Sequence, residues 1–140
     1  FFRNRFWKWA FHSFVDAAPF DRHYHTSESL GLALGLLERN HSLVYFPEGG
    51  RTPDGNMHPF KRGVGLLALE SGAPVIPTYI RGSFQALPKG HTFPKRHPIH
   101  VRFGPPINMG EYISAQNDEG HLELSRKVTE DIESAVKALS

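Results

Sequence analysis

Between residues 45 and 55 the chain reads YFPEGGRTPDG, and six residues later come Lys61 and Arg62. Gly49 and Gly50 would let backbone approach a ligand closely, and Arg51 offers a fork of donors that fits two phosphate oxygens. Lys61 and Arg62 stand at the start of a predicted helix, where the dipole also favours an anion. Glu48 is the awkward member, because a carboxylate repels phosphate. Its possible uses are to orient Arg51, to accept a hydrogen bond from a substrate hydroxyl, or to hold backbone amides of the loop. The plain alternative is a tight surface loop carrying an exposed Glu–Arg pair. The spacing excludes the commoner phosphate loops, since neither G-x-x-x-x-G-K followed by Ser or Thr nor G-x-G-x-x-G occurs. G-x-S-x-G is absent too, which removes a serine hydrolase of the elbow type.

Alternating elements must position this loop. Residues 1–14, FFRNRFWKWAFHSF, carry no breaker and predict a helix whose aromatics form two stripes, Phe2/Phe6/Trp9 and Trp7/Phe11/Phe14. Burial in a core and contact with a lipid interface both suit that pattern. AAPF at 17–20 is a short strand candidate. Leu30, Ala33, Leu34 and Leu37 recur at helical spacing behind Thr26 and Ser27, predicting a capped helix that ends at Asn40 or His41. SLVYF at 42–46 predicts a buried strand stopped by Pro47, and PDG at 53–55 marks a turn. RGVGLLALESG reads as a helix closed by Gly72, PVIPTYI and IHVRFG as strands, and PPIN as a loop. Leu124, Val128, Ile132 and Val136 then form a stripe along a helical tail. The expected fold is α/β, a mixed sheet layered with helices in a single domain over residues 1–140.

The chain has 140 residues, 39% of them hydrophobic, and no cysteine, so disulfide frameworks, thiolate nucleophiles and cysteine-based zinc sites are excluded. His23 and His25 lie two apart but have no clustered carboxylates to complete a metal site, and none is expected. Net charge is only +2, yet no Asp or Glu occurs from Ser71 to Gly110, where Arg81, Lys89, Lys95, Arg96 and Arg102 lie with three histidines. A basic middle and an acidic tail suggest a face for phosphate, a coenzyme or an anionic lipid surface, or else a solvated basic loop. Nucleic-acid signatures are missing, and no partner of that class is expected. No apolar run reaches the length needed to cross a bilayer.

The motifs together resemble the glycerolipid acyltransferases, the family that includes 1-acylglycerol-3-phosphate acyltransferase. Phe46-Pro47-Glu48-Gly49-Gly50-Arg51-Thr52 is similar to its Phe-Pro-Glu-Gly motif, which ends in Arg and Ser or Thr. Pro19-Phe20-Asp21-Arg22 resembles the family's second motif, Phe60-Lys61-Arg62-Gly63 the stretch that follows its third, and Val75-Ile76-Pro77 its fourth. The resemblance implies transfer of a fatty acyl group from acyl-CoA or acyl carrier protein to the hydroxyl of lysophosphatidic acid or a related lysophospholipid. No further cofactor is implied. It implies that Arg22, Glu48, Gly49 and Arg51 bind the glycerol phosphate, with Lys61 beside them, and that Pro77 shapes the acyl or acceptor pocket. A membrane-peripheral location, on the cytoplasmic face, would follow from lipid substrates.

One departure is serious. The family's general base is a histidine in His-x-x-x-x-Asp ahead of the second motif, and no histidine of this chain has an aspartate five residues later. His12 and Asp16 are four apart, and His23 and Glu28, at the right offset, follow Arg22 instead of preceding it. The expectation is that residues 1–140 are the C-terminal portion of an acyltransferase domain, that the catalytic dyad lies upstream of Phe1, and that this segment alone is inactive. The alternative is a non-catalytic phosphate- or lipid-binding module of the same fold. A second departure is Gly50 where the family commonly has Thr, which loosens the loop and leaves Arg51 in place.

Overall fold

A computed structural model describes residues 26–115 and 120–140 of the chain. The expected helix at 1–14, the strand candidate AAPF and the Asp21-Arg22 motif lie outside the described residues. The described elements run α1 (Thr26–Glu38), α2 (Gly63–Ser71), β1 (Thr78–Arg81), α3 (Ser83–Ala86), β2 (His100–Phe103), α4 (Gly110–Ala115) and α5 (His121–Lys137). This is a mixed α/β arrangement, with a sheet of two antiparallel strands among the described residues.

The centre is α2, whose sequence GVGLLALES is apolar all round, as suits a helix covered on several sides. Val64, Leu67, Ala68 and Leu69 are buried. α1 packs on one side of it and α5 on another. α5 is amphipathic: Leu124, Val128, Ile132 and Val136 recur every four residues and are buried, while Glu123, Arg126 and Glu130 pair on the outer face. Val64, Ala68, Leu69, Met109, Leu124, Val128 and Ile132 form one core cluster, with Phe60, Val75, Ile107 and Tyr112 packed against it. The two helices come unusually close. A Cβ on Gly65 would overlap the Ser125 carbonyl and the Thr129 hydroxyl and lie 3.0 Å from the Thr129 nitrogen. α2 ends as expected, with Gly72 left-handed at φ 63° and its N–H donating to Ala68 O at 3.0 Å. α1 likewise ends at the expected place, where Asn40 turns left-handed at φ 60° and the His41 N–H returns to Leu36 O.

β1 and β2 pair from Thr78↔Phe103 to Arg81↔His100. The pairing resumes at a bridge between Val75 and Ile107. Pro77 interrupts the ladder because it has no N–H to give, and its carbonyl accepts the Gly104 N–H at 2.8 Å. Both expected strands are therefore present. The expected strand at 42–46 is not: SLVYF has no regular secondary structure, with Val44 80% and Phe46 67% exposed. An apolar run becomes a strand only where a neighbour takes up its backbone groups, and no described strand runs beside it. Two short helices, α3 and α4, were not anticipated; each is a turn or two, too short for a periodic pattern to register.

Candidate functional site

The loop after Phe46 is a tight turn stitched to the approach of α2. The Gly49 N–H donates to Phe46 O at 3.1 Å, and the Lys61 N–H donates to Pro47 O at 2.9 Å. Gly49 is left-handed at φ 74°, and the Lys61 side chain lies directly over it. A Cβ there would meet the ammonium nitrogen and fall 2.6 Å from Cε. Only glycine fits both demands without strain. The structure thus joins Gly49 and Lys61, two of the residues named from sequence, at the N-terminal end of α2. Arg62, at the N-cap position there, makes no side-chain cap, and of the first helix amides that of Val64 donates to Lys61 O at 3.3 Å.

Glu48 has found the third of its three possible uses. Its Oε2 accepts the His58 backbone N–H at 2.8 Å, tying the two ends of the 48–58 excursion together. Within that excursion Thr52, Asp54 and Asn56 form a local network. The Thr52 hydroxyl donates to Asp54 Oδ1 at 2.6 Å and accepts the Gly55 N–H at 3.1 Å, while Asp54 accepts both the backbone and side-chain amide of Asn56. The Thr52 hydroxyl and the Asn56 donors hold the Asp54 carboxyl well below the usual carboxylate range. Arg51 is exposed at the edge of this network, and among the described residues no hydrogen bond or ion pair engages its guanidinium.

From the other side the loop is anchored to α5. The Phe60 N–H donates to Glu133 Oε2 at 2.8 Å, and Lys137 pairs with the other oxygen at 2.5 Å. These two contacts, the lysine first, lower the Glu133 carboxyl below its ordinary value. Sequence reasoning missed this anchor, because nothing local to residue 133 announces a partner 73 residues away.

It also missed Tyr45, which the strand assignment had hidden. The Tyr45 hydroxyl lies above Gly63, where a Cβ would come within 3.2 Å of it. Tyr45 helps close a cavity of about 80 Å³ lined by Ser29, Leu30, Ala33, Gly63, Leu66 and Leu67. Burial pushes its phenol up. An apolar cleft therefore adjoins the end of α2 that carries Lys61. A larger hollow of about 860 Å³ opens on the surface between Arg81 and Arg102, and touches none of the residues named for the site. Pro77 is fully buried beside Gly104 and borders neither space. Arg22 lies outside the described residues.

The chain is similar to several known proteins. The family model described as Acyltransferase matches residues 1–81, more than half of the chain. A 1-acyl-sn-glycerol-3-phosphate acyltransferase of Limnanthes alba is 39% identical over 84 residues, covering 60% of this chain and 30% of the relative. The enzyme of the same name from Cocos nucifera is 32% identical over 81 residues, covering 58% and 26%. The crystal structure of the 1-acyl-sn-glycerophosphate (LPA) acyltransferase PlsC from Thermotoga maritima superposes with a TM-score of 0.60 at 27% identity, over 79% of this chain and 43% of that one. The chain spans less than a third of the length of these curated relatives. With four motifs in order, a matching family model and a shared fold, the chain belongs to the glycerolipid acyltransferase family.

Proposed function

We propose that this chain supplies the acceptor-phosphate site of an O-acyltransferase acting on lysophosphatidic acid or a related lysophospholipid. The observation that carries the reading is the Gly49 turn folded against Lys61 at the N-terminal end of α2, which Arg62 does not cap with its side chain, with Arg51 exposed on the same loop. Lys61 and the helix amides would hold one side of a phosphate and Arg51 another, leaving Glu48 to keep the loop closed through His58. Arg22 completes the set in this reading, and Pro77 acts through the core behind β1.

The donor is an acyl thioester, acyl-CoA or acyl carrier protein, and it serves as co-substrate with no further cofactor. As the acceptor oxygen bonds to the thioester carbonyl carbon, the C–S bond breaks. The hydroxyl proton passes to a histidine base and then to the departing thiolate. That base belongs to a His-x-x-x-x-Asp pair upstream of Phe1, so the 140-residue chain alone does not turn over. Substrates of this kind place the protein at a membrane periphery, on the cytoplasmic face. Among the described residues no helix is long and apolar enough to cross a membrane.

The test is titration of short-chain lysophosphatidic acid against the wild-type chain and Arg51→Ala. The expected loss is about 1.5–3 kcal/mol, the scale of a charge-assisted hydrogen bond. Unchanged affinity removes Arg51 from the site, and acyl transfer by the purified 140-residue chain overturns the assignment of the base.

A further inference from the structure

We propose that residues 82–98 form a loop that seats the protein on an anionic phospholipid surface, with Phe93 entering the interface and Lys89, Lys95 and Arg96 meeting the headgroups. This inference rests on the membrane-peripheral reading above and names the surface responsible. Phe93 is 82% exposed, the most exposed of the large hydrophobic side chains in the described residues. Its neighbours in sequence are His91, Pro94, Lys95, Arg96 and His97, and no acidic residue occurs from Ser71 to Gly110. Exposing an aromatic ring to water is unfavourable, and the charged residues that flank it in sequence are all of one sign. Ile99 and Val101, the next apolar residues along the chain, are also exposed. Aliphatic side chains have no π face on which a base could stack, so the composition favours lipid over nucleic acid.

The loop is held, not loose. Gly82 approaches so near the Pro98 carbonyl that a Cβ would overlap it, and Arg81 pairs with His100 across the strands at the loop base. The Lys95 N–H returns to Ala86 O at 2.7 Å, and Gly90 turns left-handed at φ 92° in the Pro88–His91 turn. With its ends together and α3 at its start, the segment presents its tip at low entropic cost. It reaches the phosphate site: the Phe84 ring lies against Gly55, where a Cβ would stand 2.9 Å from it. The loop therefore sits on the same turn that carries Arg51. Beside it, the basic hollow lined by Arg81, His97 and His100 gives headgroup phosphates a place to settle. Arg102, on the same wall, already donates to the Leu139 and Ser140 carbonyls.

The experiment is co-sedimentation of the whole chain with vesicles of phosphatidylcholine alone, or with a third of the lipid replaced by phosphatidylglycerol. The wild type should pellet with the anionic vesicles. Phe93→Ser should partition about tenfold less, the equivalent of one lost aromatic anchor. Lys95→Gln and Arg96→Gln should each weaken it about fivefold. Because Phe93 is exposed, its replacement should leave the thermal melt unchanged, which circular dichroism checks. The chain has no cysteine, so Phe93→Cys accepts a single environment-sensitive fluorophore, whose emission should shift to the blue on anionic vesicles. Wild-type pelleting with undiminished Phe93→Ser binding and no blue shift would overturn the loop's role and leave the peripheral reading standing. Failure of the wild type to pellet would overturn both. Binding to an RNA homopolymer as tight as to vesicles, and indifferent to Phe93→Ser, would reassign the basic segment and overturn the proposal.

Discussion

At the scale of single residues, Gly49 is where backbone conformation and chemistry meet. Its φ of 74° and the Lys61 ammonium above it mean that Gly49→Ala faces two separate costs. The left-handed backbone alone costs alanine roughly 1 kcal/mol. The steric cost is smaller, because the obstructing atoms are the flexible end of a lysine, which will swing away. The expected result is a modest loss of stability in urea unfolding together with about a tenfold loss of lysophosphatidate affinity, the scale of one charge-assisted contact. Full retention of affinity would mean that Lys61 is not a ligand for the phosphate. Much of this residue-level site was legible beforehand: glycines, an arginine and a lysine around a turn carry their chemistry in their types. Which of three roles Glu48 plays was not legible, because the answer is an amide ten residues away.

Among the elements, the α2–α5 contact decides whether the loop has a platform. In an exposed helix, Gly→Ala stabilises by about 1 kcal/mol through backbone entropy. At Gly65 the sign should reverse. The atoms that a Cβ would meet are the Ser125 carbonyl and the Thr129 backbone as well as a hydroxyl, and backbone does not step aside. Forcing the helices apart should cost about 1–3 kcal/mol net of the propensity gain. Urea unfolding of Gly65→Ala measures it, and a variant as stable as the wild type would show that the helices part easily. The periodic stripe of α5 made its buried face readable from sequence, since a spacing of four selects one side of a helix. The strand assigned to SLVYF failed for a related reason: strandness belongs to a pair, and periodicity in one segment says nothing of its neighbour.

Across the whole molecule, Glu133 is the tie between the tail helix and the candidate site. Its carboxyl is lowered by Lys137 and by the Phe60 N–H, so the folded state holds the charged form more tightly than the unfolded chain. That contribution is complete above the unfolded carboxylate value, about 4.3, and disappears as the pH falls through the lower folded value. Glu133→Gln should lose about 1 kcal/mol at neutral pH, since an amide oxygen still accepts from Phe60 but forfeits the charge. The gap between variant and wild type should close on acidification below about pH 4. A gap independent of pH in thermal melts would refute the electrostatic account. A similar link on the far side of α5 joins the Tyr112 hydroxyl to Asp131 at 2.9 Å, where burial first and the carboxylate second push the phenol up to about 12.

The family, the ends of α1 and α2, the buried stripe of α5 and the tight turn around Gly49 could all be read from the chain. These rest on local quantities: side-chain type, backbone preference and a period along one segment. What those residues touch came from the packing of distant segments. Lys61 over Gly49, Glu48 on His58, Glu133 on Phe60 and Phe84 against Gly55 all join positions that no short-range pattern connects. Such contacts come from how α2, α5 and the loops stack around one core, and a stacking energy is a property of the pair of surfaces, carried by neither segment alone.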